Sequence, residues 1–265
     1  MRYIFFITCI IVIWCSCNNN SYMPGFDFKL FKNTPIWELA KAVEKEDTSL
    51  ITMILKDRSI KVDYHDPKLG NTLLMLAVTN HKKKSIIKLL EAGASPNETD
   101  HYDNATPLLY ACEYHTDDCD TSILNMLIKR QADVNFIQNI DRIEDNGAHS
   151  IVKATVLMIA VESGCLNMVK VLLNSGANIN RYTYNDGYGA ITVGLIQDNL
   201  QIVKYLIIDK QARIPAYCFI RNEGEKDEQR LTITDMLNEQ HYDSSSDNFK
   251  YKEEIIGYLK SKSLK

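Results

Sequence analysis

Six histidines could supply an acid–base pair or a metal site: His65, His81, His101, His115, His149 and His241. None stands three to five residues from another with a cysteine or carboxylate partner, the spacing that sets two zinc ligands side by side. Asp117-Asp118-Cys119-Asp120 gathers carboxylates. It lacks the alternating ligands and closing Glu of a calcium loop, and reads as a solvated turn. Gly187-Tyr-Gly189 is not followed by Gly-Lys-Ser/Thr, so a hairpin turn is expected there and not a phosphate loop. No Gly-x-Ser-x-Gly elbow occurs, and the serine runs lie in polar segments. The residues give no catalytic group, metal ligand or cofactor site, and the chain reads as a non-enzyme. A site assembled from distant residues in the inserts stays open as an alternative.

Cysteine chemistry points elsewhere. Cys112, Cys119, Cys165 and Cys218 form no Cys-x-x-Cys pair, and their irregular placing does not suggest a disulfide framework. Cys112 and Cys165 fall in helical patterns beside alanine or glycine, where cysteine serves as a small apolar residue. Which cysteines pair, if any, stays open. Cys17 is different. Met1-Arg2 supplies a positive start, Tyr3 to Trp14 is an almost unbroken apolar run, and small Ser16 precedes Cys17 and Asn18-Asn19-Asn20. A basic start, about a dozen apolar residues and a small residue before the break read as a secretory signal, too short for a membrane-spanning helix. The pattern resembles a bacterial lipoprotein signal, with Trp14 where that family usually has an aliphatic residue. The resemblance implies cleavage after residue 16, a lipid on Cys17 and a location in the cell envelope, facing the periplasm or the cell surface. Residues 17–33, with Pro24 and Gly25, are expected to be a flexible tether.

Composition bounds the rest. Apolar residues make up 45% and charged residues 24%, as in a folded soluble domain. Thirty basic against 34 acidic residues give a formal charge of −4. Loss of the first sixteen residues removes Arg2 and no acid, so the mature chain is one charge more negative. That excludes the basic surplus of a nucleic-acid binder, and Lys82-Lys83-Lys84 would fan around a helix as solvated surface.

The elements that carry these residues repeat. Thr155-Val-Leu-Met-Ile-Ala160 and Asn167-Met-Val-Lys-Val-Leu-Leu173 show helical spacing, broken at Gly164 and closed by Gly176-Ala-Asn-Ile-Asn180. The unit recurs as Thr72–Ala77, Ile86–Leu90 and Gly93–Asn97, then as Thr106–Ala111, Ile123–Ile128 and Ala132–Asn135. A weaker copy begins at Gly189, with Gly194 near the usual alanine. Thr72 and Thr106 stand 34 residues apart, Thr106 and Thr155 49, with a polar insertion at about 137–153 making most of the difference. Such units resemble ankyrin repeats, whose period is about 33. The segments near Thr34–Leu55 and Leu231–Leu259 resemble the terminal caps of such arrays. The resemblance implies an all-α solenoid of about six helix-turn-helix repeats over 34–265, caps included, with short hairpin loops. Thr72, Thr106 and Thr155 suit helix capping. Gly93 and Gly176 suit left-handed helix ends.

Arrays of this kind bind proteins on a concave surface of hairpin tips and first helices. The register places Tyr64, His65 and Asp66 at one tip, and His101, Tyr102 and Asp103 at the next. Tyr182, Tyr184, Asn185, Asp186 and Tyr188 fall at a third. Glu113, Tyr114 and Glu162 lie on first helices facing the same side. Tyrosine gives apolar area and a hydroxyl at low entropic cost, which suits a binding surface. With acids nearby, the expected partner is another protein presenting a mixed apolar and basic face. An immunity role against a toxin, an envelope scaffold and a structural spacer all stay open. The chain alone is expected to be a monomer.

Overall fold

In the computed structural model the described residues are 26–116, 118–143, 149–184, 188–221 and 226–263. The expected signal and Cys17 lie outside them, as do Asn185 and Asp186. Six helix pairs stack in sequence. They are α1 (Trp37–Glu44) with α2 (Thr48–Ile54), α3 (Leu73–Thr79) with α4 (Lys83–Glu91), and α5 (Pro107–Glu113) with α6 (Ser122–Lys129). Next come α7 (Val156–Glu162) with α8 (Leu166–Asn174), α9 (Ala190–Ile196) with α10 (Leu200–Lys204), and α11 (Ile233–Glu239) with α12 (Asp247–Ser263). A single π-helical turn, Tyr205–Asp209, prolongs α10.

Local chemistry sets the ends of these helices. The hydroxyls of Thr72, Thr106 and Thr155 accept from the backbone N–H of Met75, Leu109 and Met158 at 3.3, 3.3 and 3.1 Å. Each satisfies a donor that the first helical turn leaves orphaned. Thr232 does the same for Asp235, which bonds back to complete a capping box. Helix α9 starts at Gly189 with no side-chain cap, which fits the weaker repeat signal there. Gly93 and Gly176 hold φ of 93° and 94° just after α4 and α8, the left-handed turn a glycine makes without strain.

Two rows of helices result. First helices α3, α5, α7 and α9 each pack on the next, and α2 packs on α4 and α10 on α12 in the outer row. Leu73 to Val78, Leu108 to Cys112 and most of α7 and α9 are buried in one continuous core. Gly194 lets α9 approach: a Cβ there would lie 2.7 Å from Val203 and 3.3 Å from Val161. The Asn that ends each exit motif ties one repeat to the next. Asn97 accepts from the backbone N–H of Asp133, Asn135 from that of Asn178, and Asn180 from that of Arg213, each at 2.8 Å.

Two segments differ from expectation. The polar insertion, which the repeat register puts at a hairpin position, is more than a long loop: it is a two-stranded antiparallel ribbon of β1 (Ile137–Ile143) and β2 (His149–Thr155), paired from Ile137↔Thr155 to Ile143↔His149. Its Ile-, Val- and Thr-containing strands suit a pleated ribbon. Shorter hairpins follow: β3 (Tyr182–Tyr184) with β4 (Tyr188–Gly189), and β5 (Phe219–Arg221) with β6 (Gln229–Leu231). The ordered array also begins before residue 34. Phe28 and Phe31 in a 3-10 helix, Phe28–Phe31, are buried in the core, and the Asn80 side-chain amide donates to the Phe26 carbonyl at 3.0 Å. Residues 26–33, expected in the tether, are folded because their phenylalanines have an apolar slot to fill.

Candidate protein-docking face

The hairpins ahead of α3 and α5 are built on two buried aspartates one period apart. Asp66, 1% exposed, accepts from the backbone N–H of Lys68, Leu69 and Asn71 at 2.7–2.9 Å. Asp100, 3% exposed, accepts from Tyr102, Asp103 and Ala105 at 2.7, 2.7 and 2.8 Å. The hydroxyl of Tyr110 adds a fourth bond to Asp100 at 3.0 Å. A carboxylate that accepts several backbone N–H groups fixes a turn, so both residues shape tips and do not face a partner.

That register relocates part of the expected surface. Tyr64, His65 and Asp66 align with residues 98–100, three positions ahead of the tip that Tyr102 occupies. Tyr64 packs partly buried with its ring 6.5 Å from Phe31. His65 points Nδ1 at the Gly70 carbonyl, 2.6 Å away, and Nε2 at Glu98, 3.1 Å away. Its ring stacks on His101 at 5.4 Å, and a Cβ on Gly70 would lie 2.3 Å from the His101 ring. These two histidines brace neighbouring hairpins. The equivalents of His101 and Tyr102 in the first hairpin are the exposed Pro67 and Lys68.

Tyr102 is 76% exposed, the most open large apolar side chain among the described residues. It precedes Asp103, whose charge acts on an acidic patch at the ends of α5 and α7. Glu113, partly buried at the end of α5, has its carboxyl pushed up to about 7 by burial first, then by the charges of Asp103 and Glu162. Burial also raises Glu162 at the end of α7, whose carboxylate accepts from the Gln197 side chain at 3.3 Å. The hydroxyls of Tyr110 and Tyr114 are held protonated above their usual range by burial first, then by the charge of Asp100 on Tyr110 and of Glu113 on Tyr114. The Phe26 ring lies edge-on to Tyr114 at 4.7 Å and to Tyr110 at 5.9 Å, so the segment ahead of α1 borders the patch.

The third tip divides. Tyr182 donates to the Arg213 carbonyl at 3.2 Å beneath the Arg213 guanidinium, 5.2 Å from its ring, and so braces the next hairpin. Tyr188 packs partly buried against the core. The Tyr184 side chain, Asn185 and Asp186 lie outside the described residues. The structure thus brings together Asp103, Glu113, Tyr114 and Glu162, with Tyr102 at the rim, and turns Tyr64, His65, Asp66 and Tyr182 to structural use. Buried Asp100 accepts from the Tyr110 hydroxyl beneath the patch and adds its charge to Glu113. The signal for Asp100 was its 34-residue spacing from Asp66.

Chemistry has little purchase elsewhere. A cavity of about 420 Å³ lies under the first ribbon between Val134, Asn135, Ile137, Thr155, Gly176 and Arg181, with one guanidinium and no carboxylate or imidazole in its lining. Among the described residues no three His, Cys, Asp or Glu side chains are grouped to hold a metal ion, and no helix is long and apolar enough to cross a membrane.

The family model for ankyrin repeats, three copies, matches residues 39–138 and again 136–217. This chain belongs to the ankyrin-repeat family. Arrays of this family are protein-interaction modules, and the all-α repeat solenoid described above is the family's fold. The chain is 27% identical over 158 residues to the B-cell lymphoma 3 protein homolog of Mus musculus, covering 60% of this chain and 32% of that protein. It is 29% identical over 143 residues to the transient receptor potential cation channel subfamily A member 1 of Homo sapiens, covering 52% of this chain and 12% of that one. It is 27% identical over 146 residues to the nuclear factor NF-kappa-B p105 subunit of Gallus gallus, covering 55% and 13%. The ankyrin array therefore matches at most about a third of each of these curated relatives.

Proposed function

We propose that this ankyrin array is a lipid-anchored envelope protein that docks one protein partner on its inner face, without catalysis, through a basic and apolar segment of that partner. The observation that carries the reading is the acidic and aromatic patch of Asp103, Glu113, Tyr114 and Glu162 beside exposed Tyr102. Glu113 is driven up by burial and then by like charges, and no cation is among the causes acting on it. A partner's Arg or Lys placed there relieves that repulsion and makes a charge-assisted hydrogen bond. The chain's acidic balance favours the same kind of partner. Neutralising a toxin and scaffolding an envelope enzyme are the two roles such docking serves.

Affinity capture from the source cell's envelope tests the docking, with the full chain and its Tyr102→Ala/Glu113→Gln double variant as baits. A protein retained by the wild type and lost with the variant, at unchanged helicity, is the expected result. Equal retention by both baits refutes the assigned face. Anchoring is supported by the run from Met1 to Cys17 and is tested separately. Cys17→Ser should move the protein from the membrane pellet to the soluble fraction, and unchanged sedimentation rules out the lipid.

A further inference from the structure

The turn between α5 and α6 departs from its counterparts. Four of the other helix pairs turn in three residues around one left-handed position: Glu46 (φ 54°), His81 (φ 54°), Gly164 (φ 75°) and Asp198 (φ 59°). Here the turn runs over residues 114–121, and its left-handed residue is Cys119 (φ 53°). Two side chains tie this longer turn to its neighbours. Asp120 is ion-paired with Lys83 of the preceding repeat, a hydrogen bond that holds its carboxyl down at about 2. Cys119 is bonded to Cys165, the N-cap residue of α8 in the following repeat, with Cα atoms 5.8 Å apart. That separation is the usual one for a cystine. At the equivalent joint one repeat on, the link is a hydrogen bond of 2.8 Å from the Asn199 side chain to the Val161 carbonyl.

We propose that Cys119 and Cys165 are an oxidation site: a reversible cystine, formed by exchange with a protein or low-molecular-weight disulfide, that fixes the α5–α6 turn against the next repeat. The two sulfurs differ in access. Cys119 is partly exposed and Cys165 is fully buried. The Cys119 thiolate attacks the external disulfide, forming a mixed disulfide and releasing one thiolate. The Cys165 thiolate then attacks the Cys119 sulfur and releases the second. Two protein thiols are oxidised, the external disulfide is reduced to two thiols, and these take up the two protons. Cys112 and Cys218 are buried, and burial pushes their thiols up to about 12, so they stay protonated and do not compete.

The turn has work to do once fixed. It starts at Tyr114 and, with Val78, His81 and Ala111, walls a cavity of about 180 Å³ beside the acidic patch. Control of docking by this cystine rests on the proposed function; the oxidation site itself does not.

The full chain, treated with oxidised glutathione or with dithiothreitol, is alkylated and digested with trypsin. The oxidised sample should yield peptide 89–129 linked to 154–170, with fragment ions placing the link at Cys119. Amide hydrogen exchange at 115–121 should be roughly tenfold slower in the oxidised form. Cys119→Ser and Cys165→Ala should each abolish that difference, and Cys218→Ser should leave it. Absence of this link, a link through another cysteine, or equal exchange in the two forms overturns the proposal.

Discussion

Glu113 is the residue on which the proposed docking face turns. A carboxyl that folding moves from its ordinary 4.5 to about 7 binds its proton more tightly folded than unfolded. Ionising it therefore costs the fold. The stability it takes away is absent below about pH 4.5, grows as pH rises, and is complete above about 7. Glu113→Gln should stabilise the protein by on the order of 1–3 kcal/mol at pH 8 and by close to nothing at pH 4. Urea unfolding at the two pH values reads this directly; a gain independent of pH would contradict it. Such a destabilising acid makes sense where a partner's cation completes it. The neighbouring aspartates show how far single residues could be read. Tyr102 and Glu113 stand out in the sequence as a tyrosine and an acid off the core pattern. Asp66 does not, because a tip carboxylate turned inward onto three backbone N–H groups has the same letter as one turned outward. Only its alignment with Asp100 across one period separates the two cases.

At the scale of the element, the periodic signals carried through. The threonines cap, Gly93 and Gly176 end their helices, and the apolar positions at helical spacing in the second helices α4, α6 and α8 are the buried ones, while the first helices α3 and α5 are buried on almost every side. Leu172 is 0% exposed between repeats. Leu172→Asp should cost at least about 3 kcal/mol, since it removes a packed side chain and buries a charge without a partner. A lowered denaturation midpoint is the expected readout, and a variant as stable as the wild type would break the assigned register. What the sequence hid depends on contacts distant along the chain. The β1–β2 ribbon needs its two strands to meet, and its isoleucines at 137, 140 and 143 match neither a two-residue nor a helical period. The Phe28–Phe31 turn is too short to carry a period and folds because the first repeat offers a slot. The Cys119–Cys165 contact joins turns 46 residues apart.

Across the whole molecule, the stacking of repeats converts these details into a surface. First helices pack on one another along the inner row, so residues at their ends converge although they lie in different repeats. Glu113 and Glu162 are 49 positions apart in sequence, yet the charge of one reaches the other. Outer helices present isolated apolar side chains, Met53 at 61% and Ile87 at 40% exposure, and scattered exposure of that kind needs no partner to explain it. Among the described residues, open Tyr102 is followed by Asp103, one of the acids clustered at the ends of the inner helices.

Site-specific photo-crosslinking in the source cell tests that asymmetry most directly. A photoreactive residue is placed at Tyr102 on the inner rim, or at Ile87 on the outer row, in otherwise unchanged full-length protein. The account predicts one discrete protein adduct from position 102, diminished by Glu113→Gln, and none from position 87. An adduct from 87 with none from 102, or identical adducts from both, would contradict docking on the inner face.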